Sequence, residues 1–354
     1  MLLTHSGMIC PVGLNAAAAC AAMRAGIAGF AELPFHDRSD EPIVGAAVPG
    51  VPPGLTGDAR LLFLLEKALS DCLSSAGFDQ TDSIPLLVGL SEAGRPGGGD
   101  DLAGDLIRRV QKQLGRNFHP SLSRCFSRGH TAGFESLRVS REMLQDRRIP
   151  ACVVAGVDSY LNDAALVWLD GHNRLKSPDN TDGVIPGEAA AAVIARRDAS
   201  APSSVHVIGL GFGKETAHVL SDEPLLGLGL TAAVRAALAE ANLGFHDMAW
   251  RVSDVTGEQY GFKEIPLVEG RLVRTVRKDP QPLWHCADSI GDIGAAAGVA
   301  QLVMIHHAYL KGYAPGDKAI CLTSSVPGDR AAVVVGHGNG QAGNVQRRGD
   351  ANEL

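Results

Sequence analysis

The chain has 354 residues, of which 45% are hydrophobic and 20% are charged, so it can bury one large core or two ordinary ones. Its formal net charge is −7, from 39 acidic and 32 basic residues, and its lysines and arginines do not cluster with aromatic residues. A surface that follows nucleic-acid phosphates needs such a cluster. These figures exclude a disordered chain and argue against nucleic acid as a ligand.

The cysteines argue for a reducing compartment. Their number, seven, is odd, and they do not follow disulfide or zinc-site spacings. Residues 1–23 do not resemble an export signal, because the first basic residue, Arg24, follows the apolar stretch instead of preceding it. The apolar stretches are shorter than the roughly 18 residues that a membrane helix needs. We therefore expect a cytoplasmic protein with no membrane insertion.

The predicted elements, taken in chain order, form two similar series. The first consists of a helix at 62–73, a strand at 85–90, a helix at 131–144 and a buried strand at 151–156. The second consists of a helix at 232–238, a strand at 250–254, a helix at 295–310 and a strand at 319–323. The offset of roughly 165 residues is long enough for each series to be half of a domain. Two related αβ halves packed on one another account for this order.

A change in composition places the boundary between these halves near residues 198–204, where alanine, serine and proline interrupt the periodic pattern. We therefore predict an N-terminal half at 1–198 and a C-terminal half at 203–338. The glycine-containing and arginine-containing segment 339–354 is predicted to be a flexible tail.

Three sequence features resemble sites for a cofactor or a metal ion, but none of them has the residue types or the spacing that such a site needs. The glycine-rich segment 209–216 lacks the first glycine of a phosphate-binding loop and has Glu215 where that loop has a hydroxyl residue. The glycines at 94–99 lack a flanking strand and helix, which is typical of a mobile surface loop. His306 and His307 are adjacent on a predicted helix, so their side chains diverge by about 100° and do not chelate one ion. We predict no cofactor and no metal.

Several separated segments carry a family signature. They are residues 6–13 (SGMICPVG), 23–29 (MRAGIAG), 155–159 (AGVDS), 182–191 (DGVIPGEAAA), 207–211 (VIGLG) and 291–298 (GDIGAAAG). Together and in this order they resemble the β-ketoacyl synthases of the thiolase-like superfamily, over nearly the whole chain. The resemblance implies a thiolase-like α/β fold, in which two related αβ halves form a layered α-β-α-β-α structure.

The resemblance also indicates where catalytic residues should lie. The family condenses acyl thioesters with a cysteine at a helix N-terminus and with two histidines that stabilise charge on a carbonyl oxygen. Counting back from the strand at 151–156 places the cysteine position at 129–131, where His130 is the best match. The nearest cysteine, Cys125, lies on the preceding strand. It is either a shifted nucleophile or a buried structural thiol.

Both family histidines are replaced by aspartate. The motif His-Gly-Thr-Gly matches residues 254–257, which puts Asp254 at the first histidine position, and the motif Gly-His-Thr puts Asp292 at the second. The family's lysine before the second motif reads Ala287. An ionised aspartate accepts hydrogen bonds and donates none, whereas an oxyanion needs donors. A buried, protonated carboxyl can donate, but no thiolate would be present to hold the acyl chain. We therefore predict no competent catalytic site.

The resulting hypothesis is a catalytically inactive ketosynthase-like protein that serves protein partners as a scaffold, adaptor or co-chaperone. The family pairs through the strand at 121–126, so the resemblance implies a homodimer or a heterodimer with a related chain. Degenerate members also resemble accessory factors of type VI secretion, which makes a secretion effector or its adaptor a candidate partner.

Two alternatives stay open. One is a thioester-acting enzyme of fatty-acid or polyketide type (a hydrolase, decarboxylase or acyltransferase), in which Asp254 or Asp292 orients His130 as a base. These three side chains could instead fill vacated polar space and form a salt link that closes the cavity. The other alternative is an active condensing enzyme with Cys125 as its nucleophile.

Overall fold

The computed structural model describes residues 1–74, 76–78, 83–99, 102–197, 205–275 and 279–338. The strands in this part of the chain are β1 (Leu2–Ile9), β2 (Ala31–His36), β3 (Pro42–Gly45), β4 (Leu86–Leu90), β5 (Arg124–Ser127), β6 (Ala151–Ser159), β7 (Glu188–Arg196), β8 (Val205–Lys214), β9 (Trp250–Ser253), β10 (Leu283–Trp284), β11 (Lys318–Ser324) and β12 (Asp329–His337). The helices are α1 (Ala16–Arg24), α2 (Gly57–Ser74), α3 (Leu106–Leu114), α4 (Ala132–Met143), α5 (Asp163–Gly171), α6 (Leu228–Ala241), α7 (Gln259–Leu272), α8 (Ala287–Ile290) and α9 (Ala297–Leu310).

The two halves of the chain repeat one sheet topology. The N-terminal strands lie in the order β5-β4-β6-β7-β1, and the C-terminal strands lie in the corresponding order β10-β9-β11-β12-β8. In each half the first two pairings are parallel and the last two are antiparallel. The halves join where β1 pairs with β8, Leu2 opposite His206 and Leu3 opposite Val205. The prediction of two related αβ halves is confirmed.

Through the pairing of β1 with β8 the described strands of both halves form one ten-stranded sheet, whose two parts are called here the N-terminal sheet and the C-terminal sheet. Helices cover the outer side of each part and lie between the two parts. On the outer side of the N-terminal sheet, α2 and α3 bury a core that includes Leu64 and Val110. On the outer side of the C-terminal sheet, α6 and α7 bury a second core that includes Val234 and Val268. Between the sheets, α4 and α9 share the largest core with strands of both halves. The layers are therefore α-β-α-β-α, as predicted.

The glycine-rich segment 209–216 lies mostly in strand β8 and packs against α6. A Cβ atom added to Gly209, Gly211 or Gly213 would lie 2.1, 1.9 or 2.1 Å from a carbonyl oxygen of α6. Because alternate residues of a strand share one face, these three glycines form a flat stripe that lets the helix backbone approach the sheet. The glycines of this segment therefore serve helix packing.

The segment 94–99 lies at the surface, as predicted, with Gly94, Pro96 and Gly97 exposed, but buried Arg95 and Gly99 anchor it to the protein, and its mobility stays a prediction. Arg95 is buried, and its guanidinium pairs with both carboxylate oxygens of Asp158 while lying 4.3 Å above the ring of Tyr160. Gly97 and Gly98 approach Asn162 and Ser91 too closely to carry a side chain. The glycines suggested mobility, but a buried arginine requires a buried carboxylate, and the sequence does not show that pairing.

The predicted helices and strands match α2, β4, α4, β6, α6, β9, α9 and β11, although α2 begins earlier than predicted and α6 extends further at each end. The predicted boundary at 198–204 and the predicted tail at 339–354 lie outside the described residues. Within the part of the chain that the structure describes, no helix combines the length and apolar character needed to cross a membrane.

Candidate functional site

The two halves bring His130, Asp254 and Asp292 into the lining of one cavity. His130 lies in the 3-10 turn Gly129–Thr131 between β5 and α4. Asp254 directly follows β9, and Asp292 lies between α8 and the turn that begins α9. The carboxyl ends of parallel strands and the starts of the two central helices converge here, which is where α/β proteins commonly place their sites.

His130 and Asp292 form a buried ion pair. Their Nε2 and Oδ1 atoms lie 2.9 Å apart, and each residue is about 4% exposed. Burial alone would lower the pKa of His130, but the charge and the hydrogen bond of Asp292 raise it to about 9. Burial alone would raise the pKa of Asp292, but His130 and the N–H of Gly294, which donates to Oδ1 at 2.9 Å, lower it to about 2. Both groups are therefore charged at neutral pH.

Asp254 lines the same cavity as this pair. Its Oδ2 accepts a hydrogen bond of 2.7 Å from the backbone N–H of Ser324. Burial raises the pKa of Asp254 to about 6, although His130 and the Ser324 N–H favour the ionised form. Asp254 is therefore ionised over most of the neutral range and presents an acceptor, not a donor, to the cavity.

Two further ion pairs line the cavity, and the sequence analysis missed them. The guanidinium of Arg174 donates two hydrogen bonds of 2.7 Å to Glu258. Arg330 is 1% exposed and donates a 2.7 Å hydrogen bond to Glu264. Each cation thus has a carboxylate partner, so these side chains fix the wall of the cavity more than they offer charge to a ligand.

The cavity itself is small, with a volume of about 50 Å³. A water molecule needs roughly 10–15 Å³ of such volume, so the space holds a few waters. Pockets that bind small molecules usually measure roughly 300–1,000 Å³. The present conformation therefore has no room for an acyl chain.

Cys125 is placed away from this cavity. It lies on β5, packs against the outer core of the N-terminal half and is not among the residues that line the cavity. Burial raises its pKa to about 12 and raises the pKa of each of the other six cysteines as well. A thiol with such a pKa is protonated at neutral pH and is a weak nucleophile.

Glu92 is a buried carboxylate that the sequence analysis also missed. Neither of its oxygens has a hydrogen-bond partner among the described residues. A Cβ atom on Gly129, whose φ is 58°, would lie 2.4 Å from Oε2 of Glu92, so the carboxylate lies directly against the turn that carries His130. In the repeated topology β4 corresponds to β9, and Glu92 lies two residues after β4 while Asp254 lies directly after β9. A comparison of the two halves could therefore have identified Glu92 from the sequence.

No cofactor or metal is implied by these contacts. Across the described ranges, no group of three or more histidines, cysteines, aspartates or glutamates is arranged to hold a metal ion. His306 and His307 are buried in α9, and their rings are nearly perpendicular, with centroids 5.8 Å apart.

No family model and no curated protein matches the chain. Solved structures do match it. An oxazolomycin ketosynthase domain from Streptomyces albus JA3453 has a TM-score of 0.78 at 15% identity, with 96% of this chain and 75% of that chain covered. The ketosynthase from module 6 of the bacillaene synthase of Bacillus subtilis 168 has a TM-score of 0.75 at 14% identity, with coverages of 96% and 72%.

A third structure is a ketosynthase in complex with its chain length factor, from Xenorhabdus doucetiae. Its TM-score is 0.71 at 15% identity, and the match covers 95% of this chain and 98% of that chain. Identities this low establish the fold and not the activity. Together with the repeated topology, these likenesses show that the protein has a β-ketoacyl synthase-like, thiolase-type fold.

Proposed function

We propose that this protein is a non-condensing ketosynthase-like subunit that acts through protein partners. The observation that carries the proposal is the buried ion pair between His130 and Asp292 at the start of α4, where the family resemblance expects a thiolate. A condensing site needs a nucleophile and hydrogen-bond donors directed at a carbonyl oxygen. Here the nearby acidic side chains, Asp254 and Asp292, are acceptors.

The small volume of the cavity supports the same proposal. Each arginine that lines it, Arg174 and Arg330, is held by a glutamate, and the space that remains is about 50 Å³. Opening the cavity to an acyl chain would require buried ion pairs to separate, which is costly because each charge would lose its partner. The likeness to a ketosynthase with a chain length factor is compatible with a subunit whose own site is not used.

The proposed contact with a partner is the edge of β5. This strand ends the order of the sheet among the described residues, and it pairs on one side with β4. Arg124 is exposed, and Cys125, Phe126 and Ser127 are half-buried. An unpaired strand edge offers backbone donors and acceptors to a second chain. We propose that the second chain is ketosynthase-like, either another copy of this protein or a relative that carries the cysteine.

One observation favours an enzyme instead, namely the hydrogen-bonded His130 and Asp292, which resemble a base and its orienting carboxylate. A general base must be unprotonated at the working pH. Because Asp292 raises the pKa of His130 to about 9, the imidazole is protonated at neutral pH. We therefore rank a thioester hydrolase or decarboxylase second.

The purified protein, incubated with acyl and malonyl thioesters, separates these proposals. We expect neither a covalent mass increase nor loss of thioester above that in buffer. Turnover that disappears in His130→Ala would overturn the proposal in favour of the hydrolase. Acylation that disappears in Cys125→Ser would establish the shifted nucleophile.

The partner contact is tested by the mass of the native protein, alone and coexpressed with a ketosynthase from the same genome. We expect a dimer in one of these samples and its loss in Phe126→Lys, because a lysine on a strand edge opposes pairing. Phe262→Lys, at an aromatic residue that is 46% exposed, is the matched control. A monomer in both samples, or a dimer that survives Phe126→Lys, would contradict pairing through β5.

We also propose that the protein acts in the cytoplasm, since all seven cysteines are free thiols. A role beside secretion effectors stays a prediction from the family resemblance. The solved structures named above are ketosynthases, and their names give that role no support.

A further inference from the structure

A second cavity, of about 410 Å³, lies between α1 of the N-terminal half and elements of the C-terminal half and shares no residue with the cavity at His130. It opens between α1, the edge strand β10 and α9. Its lining residues are Cys20, Met23, Arg24, Leu283, Trp284, His285, Asp288, Met304 and Tyr313. Its volume lies in the range of roughly 300–1,000 Å³ that is usual for small-molecule sites.

Two large aromatic rings, those of Trp284 and Tyr313, form part of the wall of this cavity. The rings of Trp284 and Tyr313 are 6.1 Å apart with an angle of 26° between their planes, and Trp284 also packs on Trp250 at 4.5 Å. Met23 and Met304 contribute thioethers. Flat ring faces favour offset stacking with another ring, and methionine sulfur packs favourably against ring edges. These walls therefore suit an aromatic body better than a flexible chain.

The guanidinium of Arg24 is a cationic group in the lining of this cavity. It lies 4.3 Å above the ring of Tyr313, and no carboxylate of the described residues forms an ion pair with it. An arginine that stacks on an aromatic face keeps its N–H groups free for a bidentate contact with a carboxylate. His285 also lines the cavity, and its Nδ1 is buried without a hydrogen-bond partner among the described residues.

We propose that this second cavity binds an aromatic carboxylic acid. The Arg24 guanidinium pairs with the carboxylate, and the rings of Trp284 and Tyr313 contact the aromatic body. Asp288 on the same rim, with its side chain 85% exposed, opposes a doubly charged phosphate more strongly than a singly charged carboxylate. The site is independent of the proposed function, since neither the ion pair at His130 nor the edge of β5 takes part in it.

The probe is 2-naphthoate, titrated into the full chain and followed by calorimetry and by the indole N–H signals of the three tryptophans. We expect saturable binding that shifts the signals of Trp284 and Trp250 and leaves that of Trp168, which lies in α5, unchanged. Arg24→Gln should weaken binding about tenfold, because a charged hydrogen-bonded contact is lost. Arg24→Lys should retain part of the affinity.

Arg148→Gln is the matched control, since the side chain of Arg148 is 89% exposed and lies elsewhere on the surface. The neutral analogue 2-naphthalenemethanol should bind more weakly than 2-naphthoate and should not respond to Arg24→Gln. Equal binding of 2-naphthoate to the unmodified protein and to Arg24→Gln, or no binding at all, would overturn the site. Tighter binding of decanoate than of 2-naphthoate would overturn the aromatic part of the proposal.

Discussion

The side chains around His130 determine the chemistry of the candidate site. One imidazole, four carboxylates and two arginines line the cavity there, and the imidazole pairs with Asp292 at 2.9 Å. In such a cluster each charge is stabilised by its neighbour and not by water, so the arrangement depends on every member. A single substitution in the His130–Asp292 ion pair should therefore show how much this pair contributes to the stability of the protein.

Asp292→Asn should lower the free energy of unfolding by about 3–5 kcal/mol, because it leaves a charged imidazole buried without its partner. Urea unfolding at neutral pH measures this loss. Asp288→Asn, on a side chain that is 85% exposed, should change stability by less than about 0.5 kcal/mol. Equal effects of the two substitutions would show that the ion pair contributes little.

Stability should fall as the pH rises from 6.5 to 9. The pKa of His130 is raised from its ordinary value of 6.5 to about 9 in the folded state, so in this range the folded protein holds a proton that the unfolded chain has released. The loss approaches about 3 kcal/mol. His130→Gln should flatten this dependence relative to the unmodified protein, whereas His172→Gln, on an exposed histidine, should not. Parallel pH curves for the unmodified protein and His130→Gln would contradict the shift.

The sequence identified three of these positions but not their contacts. His130, Asp254 and Asp292 were located through motif spacing, and all three line the cavity. Arg174 and Glu258 were missed because they are 84 residues apart and belong to no motif, so only folding brings them together.

At the level of elements, the contact between β8 and α6 depends on glycine. The stripe of Gly209, Gly211 and Gly213 lets carbonyl groups of the helix lie against the strand. The pattern Gly-x-Gly-x-Gly has the period of a strand, which separates a packing stripe from a phosphate loop. Ile208 and Glu215 also depart from a phosphate-binding loop, so the residue types and the period of the glycines exclude nucleotide binding independently.

Gly211→Ala should destabilise the protein by at least about 1–3 kcal/mol, because the new Cβ would lie 1.9 Å from the carbonyl oxygen of Ala233. Thermal unfolding measures the effect. Gly270→Ala, in α7, is the control, since nothing lies within 4 Å of its added Cβ. That control should be neutral or stabilising by up to about 1 kcal/mol. An unchanged melting temperature in Gly211→Ala would show that the helix is free to move away.

The elements that the sequence predicted are those with long, regular patterns, such as α2 and α9. The elements that the sequence did not predict are short or lack a regular hydrophobic pattern. Strand β10 has two residues, and α7 contains Pro266, which interrupts a helical pattern. The hairpin β2–β3 lies outside the large sheet, and its strands are short, with only Leu33 of β2 and Ile43 of β3 in a hydrophobic core.

At the level of the whole molecule, the two halves share one core. Residues of α4 and α9 pack together with strands from both sheets, so neither half buries its inner face alone. The sequence predicted this arrangement from the repeat. It could not give the strand order, because pairings such as β1 with β7 join residues nearly two hundred positions apart.

The shared core predicts one cooperative unfolding transition for the full chain. Leu64→Ala, in the N-terminal outer core, should lower the melting temperature of the C-terminal half as well, as reported by near-ultraviolet dichroism of Trp250. Leu238→Ala, in the C-terminal outer core, should shift the same transition. A second transition, or a shift confined to one half, would show that the halves unfold independently.

The buried contact between His130 and Asp292 also constrains which amino-acid changes the chain tolerates in succession. A lone His130→Cys exchange would leave the buried carboxylate of Asp292 without its partner, and a lone Asp292→His exchange would place two imidazoles next to each other. Each single step therefore passes through a poorly folded protein. Under the proposed function, a condensing site at this place would need a thiol at position 130 and imidazoles at positions 254 and 292, so several buried residues would have to change together without loss of stability.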